Sequence, residues 1–255
     1  MSPQKTASPL VKHGLNATRL KLIAAAAMLC DHASVVFYGE DMTILRWIGR
    51  LAFPIFCYFI AVGAEKTKNT ARYFARLLAF AVVSEVPYDL VLSGRVWDTS
   101  RQNVMFTLLL GLFTVRCARF AEKKKGAAVL TACVGILAAC ALAYYLRPDY
   151  GIGGVLCILC FHFALISKDK GMFFLFVLLA VFLPAVHFEL LFRYAGKLFL
   201  KYPVNKNELA AFAAVPLLLL HNGKKGTVRL KYAFYVFYPA HLLLLRLIYL
   251  IAGKF

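Results

Sequence analysis

Long apolar runs separated by short polar interruptions dominate this chain. The runs cover 20–38, 45–64, 73–92, 103–120, 127–146, 152–167, 171–192, 208–221 and 232–252. A helix needs about 20 such residues to cross a bilayer's hydrocarbon layer. The pattern therefore predicts an all-α, polytopic membrane bundle of about nine transmembrane helices. The run 152–167 is marginal and 208–221 is short, so either is expected to tilt or re-enter. No soluble domain, internal repeat or low-complexity stretch stands out. The expected organisation is a tail over 1–19 and one transmembrane domain over 20–255. Function is then expected to reside in the bundle itself.

Composition sharpens this picture. The 255 residues are 62% hydrophobic, against about 45–50% apolar in an ordinary soluble domain. In water that surplus would leave a large sticky surface. The net charge of +18 raises the question of nucleic acid. The Lys and Arg residues sit in short clusters between apolar runs, as topology signals do, so no nucleic-acid partner is expected. With the N-terminus inside, nineteen basic residues fall on inner segments and ten on outer ones. That bias predicts a cytoplasmic N-terminus and an external C-terminus. The segment 193–207 runs against it, being basic yet outside. The seven cysteines lie almost entirely within apolar runs, where they act as small hydrophobe-like side chains. Cys157, Cys160 and His162 form C-x-x-C-x-H. With no second ligand pair and a mid-helix position, this does not indicate a metal site.

Ionisable side chains inside apolar runs cost about 2.5–3.5 kcal/mol each on insertion scales, so they mark pairing or function. Asp31 and His32 lie deep in the first run. Adjacent helical residues point about 100° apart, so each needs its own partner on another helix. Histidine titrates near neutral pH and can move a proton; the competing reading is a hydrogen bond that orders the bundle. Arg50 follows Gly49 and precedes Pro54, which frees a helical carbonyl. It suits a carboxylate or phosphate, or Asp31. Glu85 and Asp89 share a helix face around Pro87 and want a cation, for which Arg50 is the expected candidate, or a shared proton. Asn103 and Thr107 share another face. Asp149 and Tyr150 open a turn whose Gly153 and Gly154 permit close helix approach. The HNGKKG loop, with Asn222, Gly223, Lys224 and Lys225, is either a phosphate-holding turn or a plain hairpin. Tyr235, Tyr238 and His241 drift along one side of the last run.

Seven blocks in order carry a resemblance: KLIAAAAMLCDH (21–32), IGRLAFPIF (48–56), SEVPYDL (84–90), NVMFTLLLG (103–111), DYGIGGVL (149–156), HNGKKG (221–226) and KYAFYVFYPAHL (231–242). Together they resemble the TraX family, associated with N-terminal acetylation of F-type conjugative pilin. The resemblance implies a membrane-embedded acetyltransferase of the bacterial cytoplasmic membrane. Acetyl-CoA is the implied co-substrate, with an amine or hydroxyl acceptor such as a peptide N-terminus or a glycan, and no metal. Carried over, it makes His32 the general base and Asp31 its orienting partner. Arg50 and Asn103 become candidates for oxyanion or acceptor placement, and Asn222, Gly223, Lys224 and Lys225 for CoA binding. Glu85, Asp89, Asp149, Tyr150, Tyr238 and His241 become acceptor or support residues. A small proton-coupled transporter and a non-catalytic scaffold of a secretion or conjugation system are the alternatives.

Overall fold

Within the described residues the apolar runs are helical, although 45–64 is broken in two and 208–221 opens as a 3-10 stretch. The computed structural model describes residues 13–39, 44–124, 126–186, 188, 205–226 and 232–253, and among them no strand is formed. The helices are α1 (Ala17–Tyr38), α2 (Ile44–Gly49), α3 (Ala52–Lys66), α4 (Thr70–Leu92), α5 (Val104–Lys124), α6 (Ala127–Leu146), α7 (Gly151–Ile166) and α8 (Lys170–Phe182). A 3-10 turn over Leu183–Ala185 follows, then a 3-10 stretch over Lys206–Ala213, α9 (Ala214–Leu219) and α10 (Ala233–Ile251). Lys5, Lys12, Lys125, Arg193, Lys197, Lys201, Arg229, Lys231 and Lys254, which enter the charge count, lie outside the described residues. So do the end of the 171–192 run and most of segment 193–207.

Among the described residues, five helices are long and apolar enough to cross a membrane: Ala17–Tyr38, Ile44–Lys66, Val104–Lys124, Ala127–Leu146 and Ala233–Ile251. The helices over 151–166, 170–185 and 207–219 are apolar but shorter. α4, at 23 residues, has the length, about 34 Å at 1.5 Å per residue. It carries four charged residues, Arg72, Arg76, Glu85 and Asp89, so its apolar character is interrupted.

Local chemistry sets the helix starts. Asn16, Asn69 and Asp169 cap α1, α4 and α8, each accepting from the backbone N–H three residues on. Such caps are worth about 1 kcal/mol each. The 44–66 segment is interrupted at Arg50 and Leu51. Pro54 has no N–H to give the carbonyl of residue 50, so the ladder breaks where Arg50 stands.

α7 is the centre of the bundle. Its buried residues run from Ile152 to Leu165, and it packs on α3, α5, α6 and α8. Gly153 lies against the backbone of Leu183 and Pro184, and Gly154 against Thr107 and Phe53, the close approach expected of this pair. α1 packs on α2, α3 and α10, while α10 also packs on α4. Outward faces stay apolar: on α6, Leu130 is 70% and Leu137 68% exposed, and on α10 Ile251 is 76% exposed. Only lipid makes such faces inexpensive.

The connections gather at two ends. At one, Leu15 N–H donates to Leu220 O (2.8 Å) and Ala17 N–H to Lys224 O (2.9 Å), joining the start of α1 to the HNGKKG loop. At the other, Asp149 N–H donates to Gln102 O (2.9 Å), joining the turns before α5 and α7. We call these the lysine end and the cavity end.

Candidate active site

Asp31 and His32 do find separate partners, as adjacent positions on one helix require. Asp31 faces α2 and the break after it. Arg46 donates to both its carboxylate oxygens at 3.1 Å, and Arg50 donates to Oδ1 at 2.8 Å. Gly49 makes this possible, since a β-carbon there would collide with the Asp31 side chain. Arg50, only 8% exposed, also donates to Glu208 Oε1 (2.5 Å) and the Tyr150 hydroxyl (3.1 Å). One guanidinium thus ties together α1, the turn before α7 and the 3-10 stretch before α9.

His32 turns instead to α10. Its Nδ1 lies 2.6 Å from His241 Nε2, and His241 Nδ1 lies 2.7 Å from the carbonyl oxygen of Phe237. A carbonyl only accepts, so His241 Nδ1 carries the proton and its Nε2 is the acceptor. His32 Nδ1 must then donate to it, which leaves the lone pair of neutral His32 on Nε2. Tyr238, 3% exposed, places its ring 6.3 Å from that of His32 and 5.8 Å from that of His241. Its hydroxyl has no hydrogen-bond partner among the described residues. The orienting partner of His32 is therefore His241; Asp31 is occupied by the two arginines.

Glu85 does not meet Arg50. Its Oε1 accepts from Asn103 N–H (2.9 Å) and Asn103 Nδ2 (2.6 Å). The other Nδ2 hydrogen goes to Ala81 O (2.8 Å), and Asn103 Oδ1 accepts from Met105 N–H (2.9 Å). Asn103 is saturated: it caps α5 and fastens it to α4, and has no donor left for a reacting oxygen. Asp89 Oδ2 accepts from Asp98 N–H at 2.9 Å, so it holds the 93–98 turn. Arg50 is the partner of neither carboxylate.

At the cavity end, a space of about 480 Å³ is lined by Arg50, Arg101, Arg147, Asp149, Tyr150 and Glu208, among others. One wall is strained backbone. Arg147 and Tyr150 have φ of 51° and 65°, left-handed values that cost a side-chain-bearing residue energy. The surroundings hold them there. Gln102 bridges to 147 and 149, the Thr107 hydroxyl donates to Asp149 O, and Phe53 stacks on Tyr150 at 3.7 Å. The Asp149 carboxylate accepts no hydrogen bond from a described residue, and burial in this turn pushes its pKa above the ordinary carboxylate value.

The HNGKKG loop sits at the opposite end. Asn222 is fully engaged: Oδ1 accepts from Lys224 N–H (3.0 Å) and Nδ2 donates to Gly14 O (2.9 Å). Its own N–H goes to Leu15 O (3.0 Å). The loop's backbone and Asn222 are a structural clasp, while Lys224 and Lys225 remain exposed.

Sequence reasoning missed four partners. Glu208 and Arg46 complete the Arg50 cluster. Glu65 and Glu122 flank His162, with Oε1 of each 3.0 and 2.9 Å from its two ring nitrogens. His162 of the C-x-x-C-x-H motif thus serves carboxylates, not sulfur. The signal for Glu65, Glu122 and Glu208 was their position at the ends of apolar runs.

Comparison with known proteins agrees with this geometry's use of blocks from the whole chain. The TraX protein family model matches residues 16–249. A probable fimbrial assembly protein FimC, serogroup H1, of Dichelobacter nodosus is 29% identical over 246 residues, covering 90% of this chain and 94% of that protein. An uncharacterised protein of Rickettsia prowazekii (strain Madrid E) is 32% identical over 92 residues, 36% of this chain and 33% of that protein. No solved structure matches. The match spans every element from the cap of α1 to the last turns of α10, and the chain belongs to the TraX family.

Proposed function

We propose that this chain is a membrane-embedded acetyltransferase that moves an acetyl group from acetyl-CoA to an amine or hydroxyl acceptor. The observation that carries this reading is the His32–His241 pair, which the Phe237 carbonyl fixes in one tautomer. His32 Nε2 takes the acceptor's proton as the acceptor's nitrogen or oxygen attacks the thioester carbonyl. The C–S bond then breaks, and the proton passes from His32 to the departing CoA sulfur. While His32 is charged, its Nδ1–H stays on His241 Nε2, so the cation is held by an acceptor throughout. Asp31 and Glu208 with Arg46 and Arg50 form a charge-balanced brace that fixes α1, and with it His32, to the break after α2.

This reading brings the acceptor in by way of the 480 Å³ cavity, whose lining includes Arg50, the partner of Asp31. Acetyl-CoA approaches from the lysine end, taken as the cytoplasmic face, in the bacterial cytoplasmic membrane. His32 lies about 22 Å along α1 from Ala17, so the phosphates stay among lysines while the thioester goes inward. The fimbrial assembly protein among the relatives favours a fimbrial or pilin subunit's N-terminal amine as the acceptor.

The test is transfer of radiolabelled acetyl from acetyl-CoA to a peptide amine by purified full-length protein in nanodiscs. His32→Gln should insert and bind acetyl-CoA normally yet transfer about 10²-fold more slowly, the scale of a lost general base. Near-normal transfer by a well-inserted His32→Gln protein sinks the mechanism.

A further inference from the structure

Beyond the transfer chemistry, the lysine end holds a buried, poorly satisfied donor among cations. His221 is 7% exposed, and its Nδ1 lies 2.9 Å from the Tyr58 hydroxyl. Among the described residues the Tyr58 hydroxyl has no other hydrogen-bond partner, so its O–H is satisfied by donating to Nδ1. That fixes the proton of neutral His221 on Nε2. This Nε2 makes no well-aligned hydrogen bond; the nearby acceptor is the Lys224 backbone carbonyl, which already takes the Ala17 N–H, so the buried donor is under-satisfied.

Cations converge on the same spot. Lys66, the last residue of α3, lies close enough to Lys225 for their charges to repel, and the charges of Lys66 and Lys21 both act on the His221 ring. Lys21 Nζ sits 4.9 Å from the Phe59 ring centroid, and that ring lies 5.4 Å from the His221 ring. No carboxylate of a described residue forms an ion pair with Lys21, Lys66 or Lys225. Glu65, next to Lys66, is turned to Arg119 and His162. In the neighbouring loop the Asn222 N–H and the Leu220 and Lys224 carbonyls are taken up by the clasp to α1, and the charged donors belong to side chains on three elements.

We propose that His221 Nε2–H, Lys21, Lys66 and Lys225 form a phosphate-binding site at the lysine end. The group recognised is a phosphate ester, carried by a soluble cofactor or by a lipid headgroup. An N–H donor between ammonium groups, with no acid nearby, suits a multiply charged oxyanion. The inference rests on the transfer reading only in naming coenzyme A as the soluble source.

The test uses the full-length protein in nanodiscs of zwitterionic lipid, titrated with coenzyme A. A Lys66→Gln/Lys225→Gln double variant and His221→Phe are compared with the wild type, with insertion verified by circular dichroism. Each lost charge-assisted contact should weaken binding about tenfold. The double variant should also show a shallower salt dependence. A second arm measures retention of phosphatidylglycerol by native mass spectrometry. Loss of lipid retention in the variants, with no coenzyme A binding by the wild type, keeps the phosphate site and assigns it to lipid. Wild-type affinity of both variants for both probes overturns the proposal. His32→Gln should bind coenzyme A like the wild type, so binding without transfer counts against the mechanism and not against this site.

Discussion

At the residue scale, the hydrogen-bond direction between two imidazoles matters most. Phe237 O is a helical carbonyl four residues before His241, and its inability to donate settles both tautomers. The requirement on position 241 is then an acceptor, not a titratable group. His241→Gln offers a carbonyl oxygen in roughly the same place, whereas His241→Leu offers none. The Gln variant is expected to retain about tenfold more transfer than the Leu variant, since a lost hydrogen bond to a charge-bearing group is worth about 1.5–3 kcal/mol; equal rates would mean that His241 does not orient His32. Asp149 yields a stability prediction of definite sign. Burial raises its carboxyl's pKa in the folded protein, so the folded state binds that proton more tightly than the unfolded state. Its ionised form therefore costs stability at neutral pH, and the cost vanishes as pH falls through the folded to the ordinary value, about 4. Asp149→Asn should raise the melting temperature at neutral pH by a few degrees, with the gain narrowing on acidification.

Among elements, the joints are formed by charges rather than by apolar packing alone. His162 joins α3, α5 and α7 by presenting one nitrogen to Glu65 and the other to Glu122. The Glu122 contact is a hydrogen bond, whereas Nδ1 and Glu65 Oε1 lie 3.0 Å apart without hydrogen-bond alignment. Arg119 adds a cation 3.5 Å from Glu65 and donates to Ala64 O. Replacing His162 by Leu leaves two carboxylates facing each other with only Arg119 between them. This should destabilise the bundle by about 3–5 kcal/mol, read as a lower midpoint of thermal unfolding in detergent. His162→Leu combined with Glu122→Gln should recover part of it. The break at Arg50 is a joint of another kind. Pro54→Ala restores a donor for the residue-50 carbonyl, and is expected to straighten α2–α3 and weaken the Arg50–Asp31 contact. The readout is reduced transfer with unchanged coenzyme A binding.

For the molecule as a whole, the helical pattern was legible because lipid demands long apolar runs, although 45–64 split in two and 208–221 opened as a 3-10 stretch. The Asp31–Arg50 contact was legible too, since two opposite charges in apolar sequence have few other options. What stayed hidden was partner choice among several polar groups. Glu85 met Asn103 instead of Arg50, because α4 and α5 place those side chains together while α1 and the 206–213 stretch claim the arginine. Glu208 was hidden because the short run it opens reads as a boundary, and the role of His162 was obscured by its two neighbouring cysteines. Connections do segregate to two ends, as alternating spans require. On this basis we propose nine crossings with the lysine end in the cytoplasm. Single cysteines at Asp98 and Lys123 should then react with impermeant reagent from opposite sides; reaction from one side alone would reject the arrangement.

The clasp between the start of α1 and the HNGKKG loop has a consequence in time. Leu15 meets Leu220, His32 meets His241 and Tyr58 meets His221, pairs drawn from the first and last quarters of the chain. During synthesis α1 is made first, yet its partners on α10 emerge some two hundred residues later, roughly 10–40 s afterwards at typical rates of 5–20 residues per second. Until then Asp31 keeps the company of Arg46 and Arg50, and His32 has neither its acceptor nor its tautomer. The histidine pair forms only after α10 has been made, so a chain released before that point inserts helices but leaves His32 without its acceptor.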